Sequence, residues 1–121
     1  MKKSHIFWLP ALLATMAAGA GDRLESLASE VRSSEAAFAA TMANRDLEAF
    51  TRFLAPDAVF VDEPVARGPA AIVAAWREYF TGTEAPFSWA PETIAVLDSG
   101  GLALSSGPVL APDGRRIGTF N

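Results

Sequence analysis

Between Asp22 and Asp46 the apolar residues Leu24, Leu27, Val31, Phe38 and Met42 recur at spacings of 3, 4, 7 and 4. That rhythm places them on one face of a long helix. Asp22, with Glu25 three residues on, can form a capping box. Asn44 suits a left-handed C-terminal cap, and Asp46 suits the N-cap of a following helix. That second helix, LEAFTRFLA, puts Leu47, Phe50 and Leu54 on one side. Pro56 and Asp57 break the helical rhythm, and AVFVDE (58–63) is β-branched and aromatic enough for a strand. Gly68 marks a turn, and Pro69 opens a third helix, PAAIVAAWREYF, striped by Ile72, Trp76 and Phe80 with Tyr79 beside them. Three strand-like runs follow, FSWAPETIAVLD, LALSSGPVL and RRIGTFN, joined by SGG and APDG turns.

Three helices at the front and an antiparallel meander behind predict an α+β domain, with the helices on one face of a curved sheet. The first strand ends on two acids, Asp62 and Glu63. Strand alternation gives Ala58, Phe60 and Asp62 one face and Val59, Val61 and Glu63 the other, so only one acid of the pair can face the helices. Two readings stay open. Asp62 is either a base held beside Phe60, or turn chemistry paired with Arg67.

Composition changes the picture mainly at the N-terminus. Lys2 and Lys3 precede an apolar run of 13 residues, Ile6 to Ala18, and Ala18-Gly19-Ala20 supplies an A-x-A exit. This is the order of a secretory signal peptide, expected over residues 1–20, with export to the periplasm or beyond. The run is shorter than the roughly 20 residues a membrane-spanning helix needs. Its removal leaves residues 21–121 as one domain. The formal charge falls from −4 to −6 as the two lysines go, and His5 goes with them. An acidic surface disfavours nucleic acid and anionic lipid as partners. The chain has no cysteine, so after export it lacks the residues for a Ser-His-Asp triad, a Cys-His pair or a thiolate–imidazole zinc site. No cofactor or metal is expected. Asp, Glu, Tyr79 and the arginines remain for acid–base work.

The run NRDLEAFTRFLAPDAVFVDEP followed by RGPAAI resembles the nuclear transport factor 2-like superfamily, which includes the SnoaL-like proteins and the ketosteroid isomerases. The matching features are Asp46-Leu47, Leu54-Ala55, Asp57-Ala58, and Gly68 through Ile72. The resemblance implies a cone of curved sheet around the helices, with an apolar pocket inside. Carried over residue by residue, Asp62 falls on the base position of the isomerases, beside which a tyrosine and a protonated Asp hold the oxyanion. Phe38 falls on the tyrosine's position and cannot donate. Asn121 falls near the second acid and cannot ionise. Loss of one such donor costs about 2.7–4 kcal/mol of transition-state stabilisation, so steroid isomerisation is not expected. The resemblance also implies a further length of sheet beyond Asn121, and the last strand or strands are expected to be missing.

The candidate site is therefore Asp62 as catalytic base, with Phe38, Phe60, Trp76, Tyr79, Trp89, Thr119 and Asn121 as ligand-binding residues. Trp76, Tyr79 and Trp89 serve equally well as plain core, and Thr119 with Asn121 serve equally well as polar sheet surface. Two functions fit. One is an exported domain that binds a small apolar molecule, with acid–base chemistry of isomerase, dehydratase or hydrolase type left open. The other is a non-catalytic domain that forms a homodimer or docks a partner through its sheet.

Overall fold

The computed structural model describes the backbone of residues 8–121 and the side chains of residues 19–121. Helix α1 (Trp8–Ala43) is continuous. Asp22 accordingly lies within it and does not cap it. The expected signal segment falls largely outside the described side chains. Among the described residues no helix is long and apolar enough to cross a membrane.

A tight corner joins α1 to α2 (Leu47–Arg52). Its left-handed residue is Arg45, at φ +58°, and not Asn44. The Arg45 side chain explains the shift. Nε donates to the Gly82 carbonyl at 2.9 Å, Nη2 to the Tyr79 carbonyl at 2.6 Å and Nη1 to the Met42 carbonyl at 3.1 Å. The guanidinium also sits 5.5 Å from the centre of the Phe80 ring. These bonds and the cation–π contact offset the strain of the left-handed backbone. Asp46 caps α2 as its sequence position suggests, accepting from the Ala49 amide at 2.9 Å.

The first strand is shorter than expected. β1 is only Val59–Phe60, and it pairs antiparallel with β2 (Ala66–Arg67), which the periodicity does not reveal. Gly68, at φ +82°, donates to the Ala58 carbonyl at 2.7 Å and leads directly into α3 (Gly68–Trp76). A 3₁₀ turn, Arg77–Phe80, finishes that helix.

The meander is split more finely than expected. β3 (Ser88–Trp89) and β4 (Thr93–Val96) pair in succession with the long β5 (Ala103–Leu110), and β6 (Arg116–Phe120) also pairs with β5. Ala90, Pro91 and Glu92 separate β3 from β4, and the pairing register shifts by one residue across them. Gly107 makes room for that break, because a Cβ there would collide with the Ala90 carbonyl oxygen. Gly100 (φ +73°) and Gly114 (φ +86°) supply the left-handed turns before and after β5. The architecture is α+β and antiparallel, as expected, but the strands form a four-stranded sheet and a separate β1–β2 pair.

The core is aromatic. Phe50 is fully buried, and its ring lies 4.9 Å from Phe38, 5.2 Å from Trp76 and 5.2 Å from Phe80, with Phe60 at 6.4 Å. Phe50, Ala66 and Ile72 form the buried cluster, and Leu47, Leu54 and Ala58 close over it. Burying a side chain such as Phe50 or Ile72 contributes about 1.5–3 kcal/mol. α1 lies across the sheet. It is tied there by Arg23 to the Ser99 carbonyl at 3.4 Å and by Arg32 to the Pro91 carbonyl at 3.1 Å.

Candidate functional site

The cone interior expected from sequence is filled. Phe60 and Trp76, both half-buried, are edge-on to each other at 5.4 Å and pack against the buried cluster, so both are core. Tyr79 rests its ring on Trp76 and Phe87 at the margin of that cluster, and 37% of the residue remains exposed.

Asp62 does not look inward. β1 ends at Phe60, and the chain bends through Asp62, Glu63 and Pro64, all exposed. The strand alternation holds for Ala58 and Phe60, which are half-buried against the core, and for Val61, which is 85% exposed. It lapses at Asp62, where there is no longer a strand to carry it. Among the described residues Arg52–Glu48 is the one ion pair, so Asp62 and Arg67 are not paired either. A solvated carboxylate on a bend has none of the burial that would make it an effective base.

Thr119 and Asn121 are exposed as well. In β6 the half-buried residue is Phe120, opposite Gly107, while Thr119 lies opposite Pro108 and accepts from Arg116 Nη2 at 2.8 Å. These two residues therefore belong to the polar sheet surface, the other of the two readings.

Phe38 and Trp89 lead to the open space that is present. A groove of about 360 Å³ runs along the flank of α1, lined by Glu30, Val31, Ser34, Glu35, Phe38 and Phe53. The rings of Phe38 and Phe53 lie 5.4 Å apart, and Phe53, just past the end of α2, is 45% exposed. Trp89 stands behind this wall, edge-on to Phe38 at 5.6 Å and 8% exposed. Its indole Nε1 donates to Glu35 Oε1 at 2.8 Å. That bond orients the half-buried Glu35, and among the described residues its carboxylate accepts no other hydrogen bond.

Glu35 and Phe53 are missing from the sequence-derived site. Glu35 was legible there. The apolar stripe of α1 takes a step of seven from Val31 to Phe38, and the helical period assigns the empty place between them to Glu35. An acid on the buried face of a helix is a functional signal. Phe53 carries no such signal, because it falls off the apolar side of its own helix.

Among the described residues no group of three or more His, Cys, Asp or Glu could hold a metal ion. The sheet carries a second, shallower hollow of about 240 Å³ over Ala95, Val96, Leu97, Leu102, Ala103 and Leu104. It is entirely apolar in residue type, and Leu102 is 68% exposed.

The SnoaL-like domain family matches residues 35–118, more than half of the chain. No curated protein and no solved structure matches it. The matched span includes α2, α3 and β1 to β5, and ends within β6.

Proposed function

Because the chain belongs to the SnoaL-like domain family, within the nuclear transport factor 2-like superfamily, we propose that it binds a small, mainly apolar molecule in the groove between α1 and Phe53. The observation that carries this reading is the groove itself. It is a strip lined by Val31, Phe38 and Phe53 with three polar side chains, of which Glu35 is oriented by Trp89, and its size is near the lower end of small-molecule sites. Any acid–base chemistry in it falls to Glu35, the acid on its wall, and not to Asp62. The domain acts outside the cytoplasm once residues 1–20 are removed. In support, among the described residues nothing outside the helix backbone lies within 4 Å of where a side chain at Gly19 or Gly21 would begin, while Arg23 makes a tertiary hydrogen bond. The mass of the protein recovered from a periplasmic extract tests this: it should start at Gly21.

Binding is tested with N-phenyl-1-naphthylamine, a neutral apolar fluorophore, on the full chain. Its emission should rise on binding. Ser34→Trp, which places a large ring in the groove from an exposed position, should weaken binding at least tenfold while far-UV circular dichroism is unchanged. Equal binding by the S34W variant overturns the assignment of the groove.

A second reading rests on the apolar hollow of the sheet. Leu97, Leu102 and Leu104 are all more than half exposed and are contiguous. An uncharged sheet patch of this kind marks an interaction surface, and the occupant proposed is a second copy of the chain related by a two-fold axis. Sedimentation equilibrium should then show a dimer that Leu104→Glu converts to monomer. A wild-type chain that stays monomeric at millimolar concentration refutes this reading.

A further inference from the structure

We infer that the groove along α1 selects organic cations: amines with an apolar body, in their protonated form. This rests on the groove being the ligand site and goes further by assigning the charge of the ligand. Four observations support it.

The charged groups lining the groove are both carboxylates, Glu30 and Glu35, and the one other polar side chain is the Ser34 hydroxyl. Among the described residues no cation forms an ion pair with them. The nearest arginine along the helix, Arg32, is turned away and donates to the Pro91 and Glu92 carbonyls. Among the described residues the one ion pair, Arg52–Glu48, lies elsewhere. An anionic ligand would enter against two like charges with a single hydroxyl to receive it.

Glu35 is also built to receive a donor. The Trp89 bond fixes its orientation from behind, so the carboxylate loses little freedom on binding. Because it is half-buried, a cation there meets a charge less screened than one in open water. Finally, Phe38 and Phe53 put aromatic rings on the same wall. Aromatic rings accept an ammonium group and its polarised neighbouring methylenes more readily than an anion. Apolar contact and charge complementarity therefore converge on one ligand class, and the net negative charge of the domain steers such ligands toward it.

The test uses three probes with one apolar body: 3-phenylpropylamine, 3-phenyl-1-propanol and 3-phenylpropanoate. Binding to the full chain is measured by isothermal titration calorimetry at neutral pH and low salt. The amine should bind at least tenfold more tightly than the alcohol, and the acid should not bind detectably. Glu35→Gln keeps an oxygen to accept from Trp89, so the fold should persist. It should weaken the amine about tenfold and leave the alcohol unchanged. Glu30→Gln, at an exposed position, gives a smaller loss of the same selectivity and serves if E35Q does not fold. Alcohol and amine binding equally, with S34W abolishing both, overturns the charge assignment and leaves the groove as the site. If no probe binds, or S34W has no effect on any of them, the groove reading and this inference fail together.

Discussion

Phe50 is the residue on which the helical half of the domain converges, and its truncation is the sharpest test of the packing described. The side chain is completely buried, and four rings, Phe38, Phe60, Trp76 and Phe80, lie within 6.4 Å of its centre. Those rings come from α1, β1, α3 and the 3₁₀ turn, so Phe50→Ala leaves a cavity bordered by four different elements. Collapse into it is opposed from every side. The expected cost is therefore in the usual range for a buried phenylalanine, about 3–5 kcal/mol. A domain of this size has only about 5–15 kcal/mol in total. For roughly 100 residues, each kcal/mol corresponds to about 4–8 °C in Tm, so the midpoint should fall by at least about 12 °C.

Urea unfolding at fixed pH, followed by tryptophan fluorescence and far-UV circular dichroism together, measures the loss. The slope should stay near its wild-type value, because the native surface is nearly unchanged, while the midpoint falls by about 1–3 M. Phe50→Leu separates burial from ring contact. It keeps most of the apolar volume but no aromatic faces, and should cost about 1–2 kcal/mol. A Phe50→Ala loss below about 1 kcal/mol would mean that the ring is not the desolvated hub described, and the filled interior would have to be abandoned.

Three further outcomes follow from the same contacts. Arg45→Ala and Arg45→Gly both lose the bonds to Met42, Tyr79 and Gly82, but only alanine keeps the left-handed strain at φ +58°. Thermal denaturation should therefore find R45G more stable than R45A by about 1 kcal/mol. Gly107→Ala should cost more than about 2 kcal/mol in chemical denaturation, because the new Cβ meets the Ala90 carbonyl oxygen and lies 3.0 Å from the Glu92 amide. Trp89→Phe removes the donor to Glu35 and should cost about 1–2 kcal/mol. A double-mutant cycle with Glu35→Ala, which removes the acceptor, should give a coupling near 1 kcal/mol, and a coupling indistinguishable from zero would dismiss that bond.

The helical half of this domain was largely legible because its elements declare themselves locally. The α1 stripe, the Asp46 cap, the Pro69 helix start and the Pro112-Asp113-Gly114 turn depend on a few neighbouring residues, and each is found where its chemistry predicts. What was not legible depends on distant partners. β2 is two residues long and exists only because β1 lies opposite it. Ala90 and Pro91 break a strand that reads as continuous, and the register shift they impose is accommodated by Gly107 on the neighbouring strand. Arg45 takes the left-handed place from Asn44 because the carbonyls of Tyr79 and Gly82, more than thirty residues away, reward its side chain.

The candidate site follows the same division. The orientation of Asp62 was expected from a local alternation, but an alternation predicts orientation only while the ladder lasts. The ladder ends at Phe60. Glu35 fills a place in a helical stripe that does persist, between Val31 and Phe38 on an unbroken α1. A carboxylate in that place must face the packed side of the helix whatever lies opposite, and burial there is costly unless a partner is supplied. Trp89 Nε1 supplies one hydrogen bond and no charge. A half-buried carboxylate held by one hydrogen bond, and met by no cation among the described residues, is the physical reason to look for the ligand at Glu35.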